Sequence, residues 1–227
     1  LPTYDSISAV HLQLNQNAAS VDSHLGDGIN GLLSLTTVST AVYNTISNEL
    51  FEVPTNPGPY PIVQPTGTEH QIKEAYRVHS KNTRIWREFQ ATDKSLKQLL
   101  LGAVGDIYTS ALKHRVTGYA NVSTRRLIEH LYSKYGNITA GDLKANEQRM
   151  KAPFDPNEPI EALYTQLESA INFADAAGTP YSVNQLVTPA YNLVFTTGLS
   201  AATRRDWHLS PTADHTSTHF HTNFPAP

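Results

Sequence analysis

Five side chains near the end of this 227-residue sequence, His208, Asp214, His215, His219 and His221, are its densest set of possible metal ligands. His215 and His219 stand four apart, which puts two imidazoles on one face of a helix and would suit zinc or nickel. A helix there would have little apolar support, and no second set of polar residues accompanies it to orient the ligands. The segment therefore reads as an exposed polar tail, and no metal is expected. Asp155, Glu158 and Glu161 bring three carboxylates close together, as a hydrolase pair would need. Acids at the start of a helix also complement its dipole, and that structural role is the expected one. Gly26-Asp27-Gly28 with Gly31 looks like a glycine-rich loop, yet it falls after a helix and before a strand, the reverse of a dinucleotide site. Walker-type phosphate loops, nucleophile elbows and paired-histidine zinc helices are absent. We expect no catalytic residue, no cofactor, no small-molecule substrate and no enzymatic activity.

A different chemistry is suggested by Lys113-His114-Arg115 with Tyr119, followed by Arg125-Arg126. Cations beside an aromatic ring can contact the phosphates and bases of a nucleic acid. An ordinary solvated face or a contact between subunits would use the same residues. Charge is unevenly placed along the chain. The segment from Leu1 to Glu69 has six acids and no Lys or Arg; His70 to Lys151 has 15 basic residues against 7 acids, a net +8; Ala152 to Pro227 has 2 against 7, a net -5. Such blocks can mark a surface that meets a polyanion. The chain has no cysteine, which removes disulfides, thiolate nucleophiles, iron–sulfur clusters and sulfur-ligated zinc. It also lacks an apolar run long enough to cross a membrane and a recognisable leader, so the expected address is the cytoplasm.

The elements that must carry these residues are mostly helices. Asn15 to Leu25 reads as a short helix, with Gly26 to Gly28 as its stop. Leu32 to Val38 reads as a strand, and Ala41 to Ile46 as a helical turn or a second strand. Five prolines between Val53 and Gly67 impose an extended arm. Apolar residues at spacings of three and four then predict helices at about 68–91 and 93–112, the second capped by Thr92 or Asp93. Ser123 and Thr139 should cap two more. Prolines 153, 156 and 159 mark the expected boundary between lobes. Ile160 to Ala174 forms an amphipathic helix up to Gly178, Ser182 caps another from Gln185 to Thr197, and the chain thins out after Ser210.

The order and spacing of several stretches resemble gag proteins of copia-type LTR retrotransposons. They are Leu14-Asn15-Gln16-Asn17-Ala18-Ala19-Ser20-Val21 with Leu25-Gly26-Asp27-Gly28, Gly31-Leu32-Leu33-Ser34-Leu35-Thr36, and Val53-Pro54-Thr55-Asn56-Pro57-Gly58-Pro59. Leu99-Leu100-Leu101-Gly102-Ala103-Val104 with Asp106, Thr124-Arg125-Arg126-Leu127-Ile128-Glu129-His130-Leu131-Tyr132, Ala152-Pro153-Phe154-Asp155-Pro156-Asn157-Glu158-Pro159-Ile160-Glu161 and Leu193-Val194-Phe195-Thr196-Thr197-Gly198-Leu199 continue it. The likeness spans roughly His11 to Phe224. It departs at Ser217, where the family usually has Trp, and in lacking a cysteine-histidine knuckle.

The resemblance implies a mainly α, two-lobed, retroviral-capsid-like helical bundle with a short β element near the N-terminus. Its copies would assemble into a virus-like particle around the element's RNA, and the chain would be a piece of a longer polyprotein or a decayed or host-adopted copy. The expected layout is an N-terminal arm at 1–66, the helical part of the first lobe at 67–151, the second lobe at 155–210 and a degenerate tail at 211–227. The expected RNA contacts are Lys113, Arg115, Arg125 and Arg126. For self-association the candidates are Tyr164, Tyr181, Tyr191, Phe195 and Trp207, for each of which packing in the lobe's own core is the competing role. A nucleic-acid-binding module, or a gag-like interaction protein that does not assemble, is the alternative.

Overall fold

Helices dominate both compact units into which the chain divides, Leu1–Asn137 and Ile138–Pro227. The computed structural model describes residues 1–28, 30–35, 40–48, 52–61, 68–155 and 157–196. Among them there is no β-strand, and none of their helices is long and apolar enough to cross a membrane.

The first helix, α1, runs over Tyr4–Ala19 and is set by a reciprocal cap: Ser6 N donates to Thr3 Oγ1 and Thr3 N to Ser6 Oγ. It begins well before the helix expected from Asn15, which lies inside it. Its inner face buries Ile7, Leu14 and Ala18. The expected strand is also absent where it can be checked, since Asn30–Leu35 forms a 3-10 helix; residues 36–38 lie outside the described residues. Three residues per turn put Leu32 and Leu35 on one face, and both are buried. In a strand, that odd separation would have sent them to opposite faces.

Of the two readings for the next segment the helical one holds, as α2, Thr40–Ile46, which buries Tyr43 completely. Tyr43 also explains the glycines before it. Gly26 has φ +49°, and a Cβ there would collide with the Tyr43 hydroxyl and the Gly31 backbone. The glycine-rich run is thus a packing device. The proline arm, described over 52–61, contains no helix or strand. Its Tyr60 ring lies against Tyr76 and His79, and His79 Nε2 donates to the Gly58 carbonyl at 3.0 Å.

Where two helices were expected there is one, α3, Glu69–Ala103, 35 residues long. Thr92 does not cap anything; its hydroxyl bonds back to the Glu88 carbonyl at 3.0 Å and the helix passes through. After Gly105 the chain makes 3-10 turns at Asp106–Tyr108 and Ser110–Leu112. Helix α4, Thr124–Tyr135, is capped by Ser123 as expected. Its Leu127, Ile128 and Leu131 meet Phe89, Leu96 and Leu100 of α3 and the buried face of α1 in one core. Each leucine removed from water there contributes roughly 1.5–3 kcal/mol.

The second unit holds α5, Ala140–Met150, capped by Thr139; α6, Ile160–Ala176; and α7, Val183–Thr196, where Ser182 Oγ accepts from Gln185 N. Its core joins Met150, Phe154, Leu163, Leu167, Ala170, Val187, Ala190, Leu193 and Val194. The division between units therefore falls at Asn137, ahead of α5, and not at the prolines after Lys151. Phe154 anchors the proline segment in the core, and Gln166 Nε2 donates to the carbonyls of Met150 and Ala152. Asn146, buried, fastens α5 to the middle of α6 by donating to the Ala170 carbonyl at 2.9 Å. Pro189 sits inside α7 and cannot donate to the carbonyl four residues earlier.

Candidate nucleic-acid and self-association surfaces

The four residues expected to contact RNA are spent unequally on the first unit itself. Lys113 Nζ pairs with Asp106 Oδ2 at 2.8 Å and lies 5.7 Å from the Tyr119 ring centre. Tyr119 donates its hydroxyl to Asp106 Oδ1 at 3.0 Å, and Thr109 Oγ1 lies 2.8 Å from the same hydroxyl. The Lys113 ammonium, with Tyr119 second, holds the Asp106 carboxyl below the usual carboxylate range, and Asp106 in turn raises the Lys113 pKa. Arg125 and Arg126 share one carboxylate, Glu129, at 3.0 and 3.8 Å. Arg115 is different. It is exposed on a turn closed by paired backbone bonds between His114 and Gly118, next to Val116, which is 78% exposed. Lys113 is thus matched one to one, Arg125 and Arg126 are half compensated by one carboxylate, and Arg115 stands at the tip of the loop.

Sequence reasoning passed over the residues beside it. Asp93 was read as a cap for its own helix, but its carboxylate accepts from the buried Thr124 N at 2.9 Å, at the start of α4, and its carbonyl accepts from Thr124 Oγ1. Lys97 lies 3.3 Å from Asp93, the two side chains only 13% and 12% exposed, and Lys97 also donates to the Tyr119 carbonyl. Asp93 and Lys97 also line a cleft of about 880 Å³ between α3 and residues 119–123, together with Gln90, Lys94, Gln98, Asn121 and Ser123. Lys94 and the i, i+4, i+8 run Gln90, Lys94, Gln98 were the available signal.

In the second unit the aromatic candidates separate. Tyr164, Tyr181 and Tyr191 are half-buried against the core, and the Tyr181 hydroxyl accepts from Asn146 Nδ2 at 3.3 Å. Burial raises the Tyr164 pKa, with the nearby Glu161 adding to the shift. Phe195 is 54% exposed, its ring 6.1 Å from that of Tyr191. Trp207 lies outside the described residues. Helix α7 contains no Asp, Glu, Lys or Arg, and Asn184, Thr188, Asn192 and Phe195 are all exposed on it. Spacings of three and four put them on one face.

Nothing among the described residues assembles three or more His, Asp or Glu side chains that could hold a metal ion. The tail histidines lie outside them. Asp155 Oδ1 accepts from Asn157 N and Nδ2, so that carboxylate organises a turn, and Glu161 stands in the first turn of α6. No protein-family model, no curated protein and no solved structure matches the chain.

Proposed function

We propose that the chain is a gag-type capsid protein of a copia-type retrotransposon, a structural protein whose copies associate into a shell around RNA. The observation that carries this reading is the outer face of α7. A helix without any charged residue, showing polar uncharged side chains and one half-exposed phenylalanine, has the composition of an interface centre: charge is depleted and an aromatic residue is presented. The division into two helical units, each with its own apolar core, suits a subunit that bonds through more than one surface.

Sedimentation of the full chain over a range of concentration and salt, with electron microscopy of the heaviest fractions, tests the proposal. Phe195→Ala should weaken association by more than about 1 kcal/mol, as hot-spot aromatics do, with the thermal melt unchanged. Tyr181→Ala, by contrast, removes a core-margin ring and the partner of Asn146 and should lower the melt. A parent protein that stays monomeric throughout would leave a helical protein without assembly and defeat the reading. The alternative, a nucleic-acid-binding module, is weakened at these positions, since Asp106 matches Lys113 and Glu129 is shared by Arg125 and Arg126.

A further inference from the structure

Helix α3 turns a basic face to solvent that the sequence blocks concealed. Lys73, Arg77, Lys81, Arg84, Arg87 and Lys94 are all exposed. At 100° per residue they fall within an arc of roughly 140°, on the side opposite the buried Phe89, Asp93, Leu96 and Leu100. From Lys73 to Lys94 the stripe is about 31 Å long at 1.5 Å per residue. Lys73 pairs with Glu69, Arg77 with Glu74, and Arg84 with Glu88 and His24. Lys81, Arg87 and Lys94 make no ion pair among the described residues. Along the axis they follow one another by about 9 and 10 Å, with Arg87 and Lys94 nearly in line and Lys81 about 120° around the helix from Arg87.

The stripe ends in the cleft described above, because Lys94 belongs to both. That cleft adds what a bare charged face lacks: the amide-bearing residues Gln90, Gln98 and Asn121 among its lining, with Phe89 and Val122 as apolar lining. Amides present donors and acceptors to base edges, and the volume suits a small number of nucleotides. The start of α4, also at the cleft, is not an anion site, since Asp93 already occupies the Thr124 amide and Ser123 the Arg126 amide.

We propose that the outer face of α3 and the adjoining cleft form a binding groove for single-stranded nucleic acid, with phosphates on Lys81, Arg87 and Lys94 and a base held among Gln90, Gln98 and Asn121. The proposal deepens the RNA side of the function above and stands whether or not copies assemble. A rival occupant exists in the chain itself, because Glu161, Glu168 and Asp175 are exposed at seven-residue spacing on α6. A ridge of carboxylates could meet the stripe of another copy, but it offers nothing to fill the cleft, and the cleft decides for nucleic acid.

The test uses the full chain and a fluorescent 20-nucleotide oligouridylate, with affinity measured from 50 to 400 mM salt and electron microscopy of the same samples reporting on assembly separately. The variant Lys81→Ala/Arg87→Ala/Lys94→Ala should bind about 100-fold more weakly at 0.1 M salt. Its slope of log affinity on log salt should fall by about 2, at about 0.7 per lost phosphate contact. Arg125→Ala/Arg126→Ala should change the slope by less than about half a unit. Gln90→Ala/Gln98→Ala should weaken oligouridylate about tenfold and leave inorganic polyphosphate, which has no bases, nearly unchanged. Every substituted position except the half-buried Arg125 is exposed, and unchanged thermal melts confirm folding. An unchanged slope in the triple variant overturns the stripe, and equal effects on both polymers in the glutamine variant overturn the cleft. If the parent binds no oligouridylate while its self-association is lost both in the triple variant and in Glu161→Gln/Glu168→Gln/Asp175→Asn, the face is a contact between copies and the proposal fails.

Discussion

Asp93→Ala should be among the most damaging single substitutions in the first unit, though the residue stands in the middle of a helix. Two debts arise when its carboxylate goes. The buried Thr124 amide loses its acceptor at 2.9 Å, which costs about 1–3 kcal/mol. Lys97, 13% exposed, loses its partner at 3.3 Å. Removing one member of a buried pair costs about 3–5 kcal/mol in general, and the slight exposure here places the sum toward the lower end, about 3–4 kcal/mol. For a unit of this size that lowers the melting temperature by roughly 10–15 °C. Asp93→Asn keeps an oxygen for the Thr124 amide and should cost about 1–2 kcal/mol. Asp93→Ala/Lys97→Met, which removes both charges, should recover part of the loss. Urea unfolding followed through Trp86 on α3 reads all three variants. A cost below about 1 kcal/mol for Asp93→Ala, or an Asn variant as unstable as the Ala variant, would refute the argument that this pair fixes the start of α4.

Burial holds the His11 imidazole below its ordinary pKa; its Nδ1 lies 3.2 Å from the Tyr132 hydroxyl and its Nε2 is buried without a hydrogen-bond partner among the described residues. The unfolded chain therefore takes up a proton near pH 6.5 that the folded chain resists. The stability this histidine contributes is fully present above that pH and falls as the pH drops toward the folded value. Melts from pH 7.5 to 5 should fall, less steeply for His11→Phe, and a melt that rises toward acid would contradict the assignment. Limited proteolysis should cut at 136–139, between the units, before the proline segment after Lys151, which Phe154 and Gln166 tie into the second core; first cleavage at Lys151 would restore the boundary drawn from the prolines.

What the sequence determined by itself is whatever depends on neighbours within a few residues. Ser123 and Thr139 cap the helices expected of them, and Ser182 caps the start of α7, because each hydroxyl needs only an amide three residues on. The amphipathic spacing of α6 gave its buried face, and the charge blocks placed most of the cations between His70 and Lys151. Tertiary structure decided the rest. Thr92-Asp93 has the local look of a helix start, but Phe89, Leu96 and Leu100 on either side of it share a core with α1 and α4, and the helix continues through. The Asp93 carboxylate then serves an amide 31 residues away. Leu32 and Leu35 form a 3-10 turn because both must enter one core, which no β propensity could overrule. The tie between α5 and α6 runs through Asn146 and a carbonyl 24 residues distant, so α5 joined the second unit without any local mark of it. Lys113, Arg125 and Arg126 read as free cations in sequence; only the fold brings Asp106 and Tyr119 to the first, while Glu129, three and four residues on, takes the other two. Pairs three and four residues apart, as at Glu129, follow from helix geometry alone, whereas the partners of Asp106 and Asp93 depend on how distant segments pack, which a linear sequence does not state.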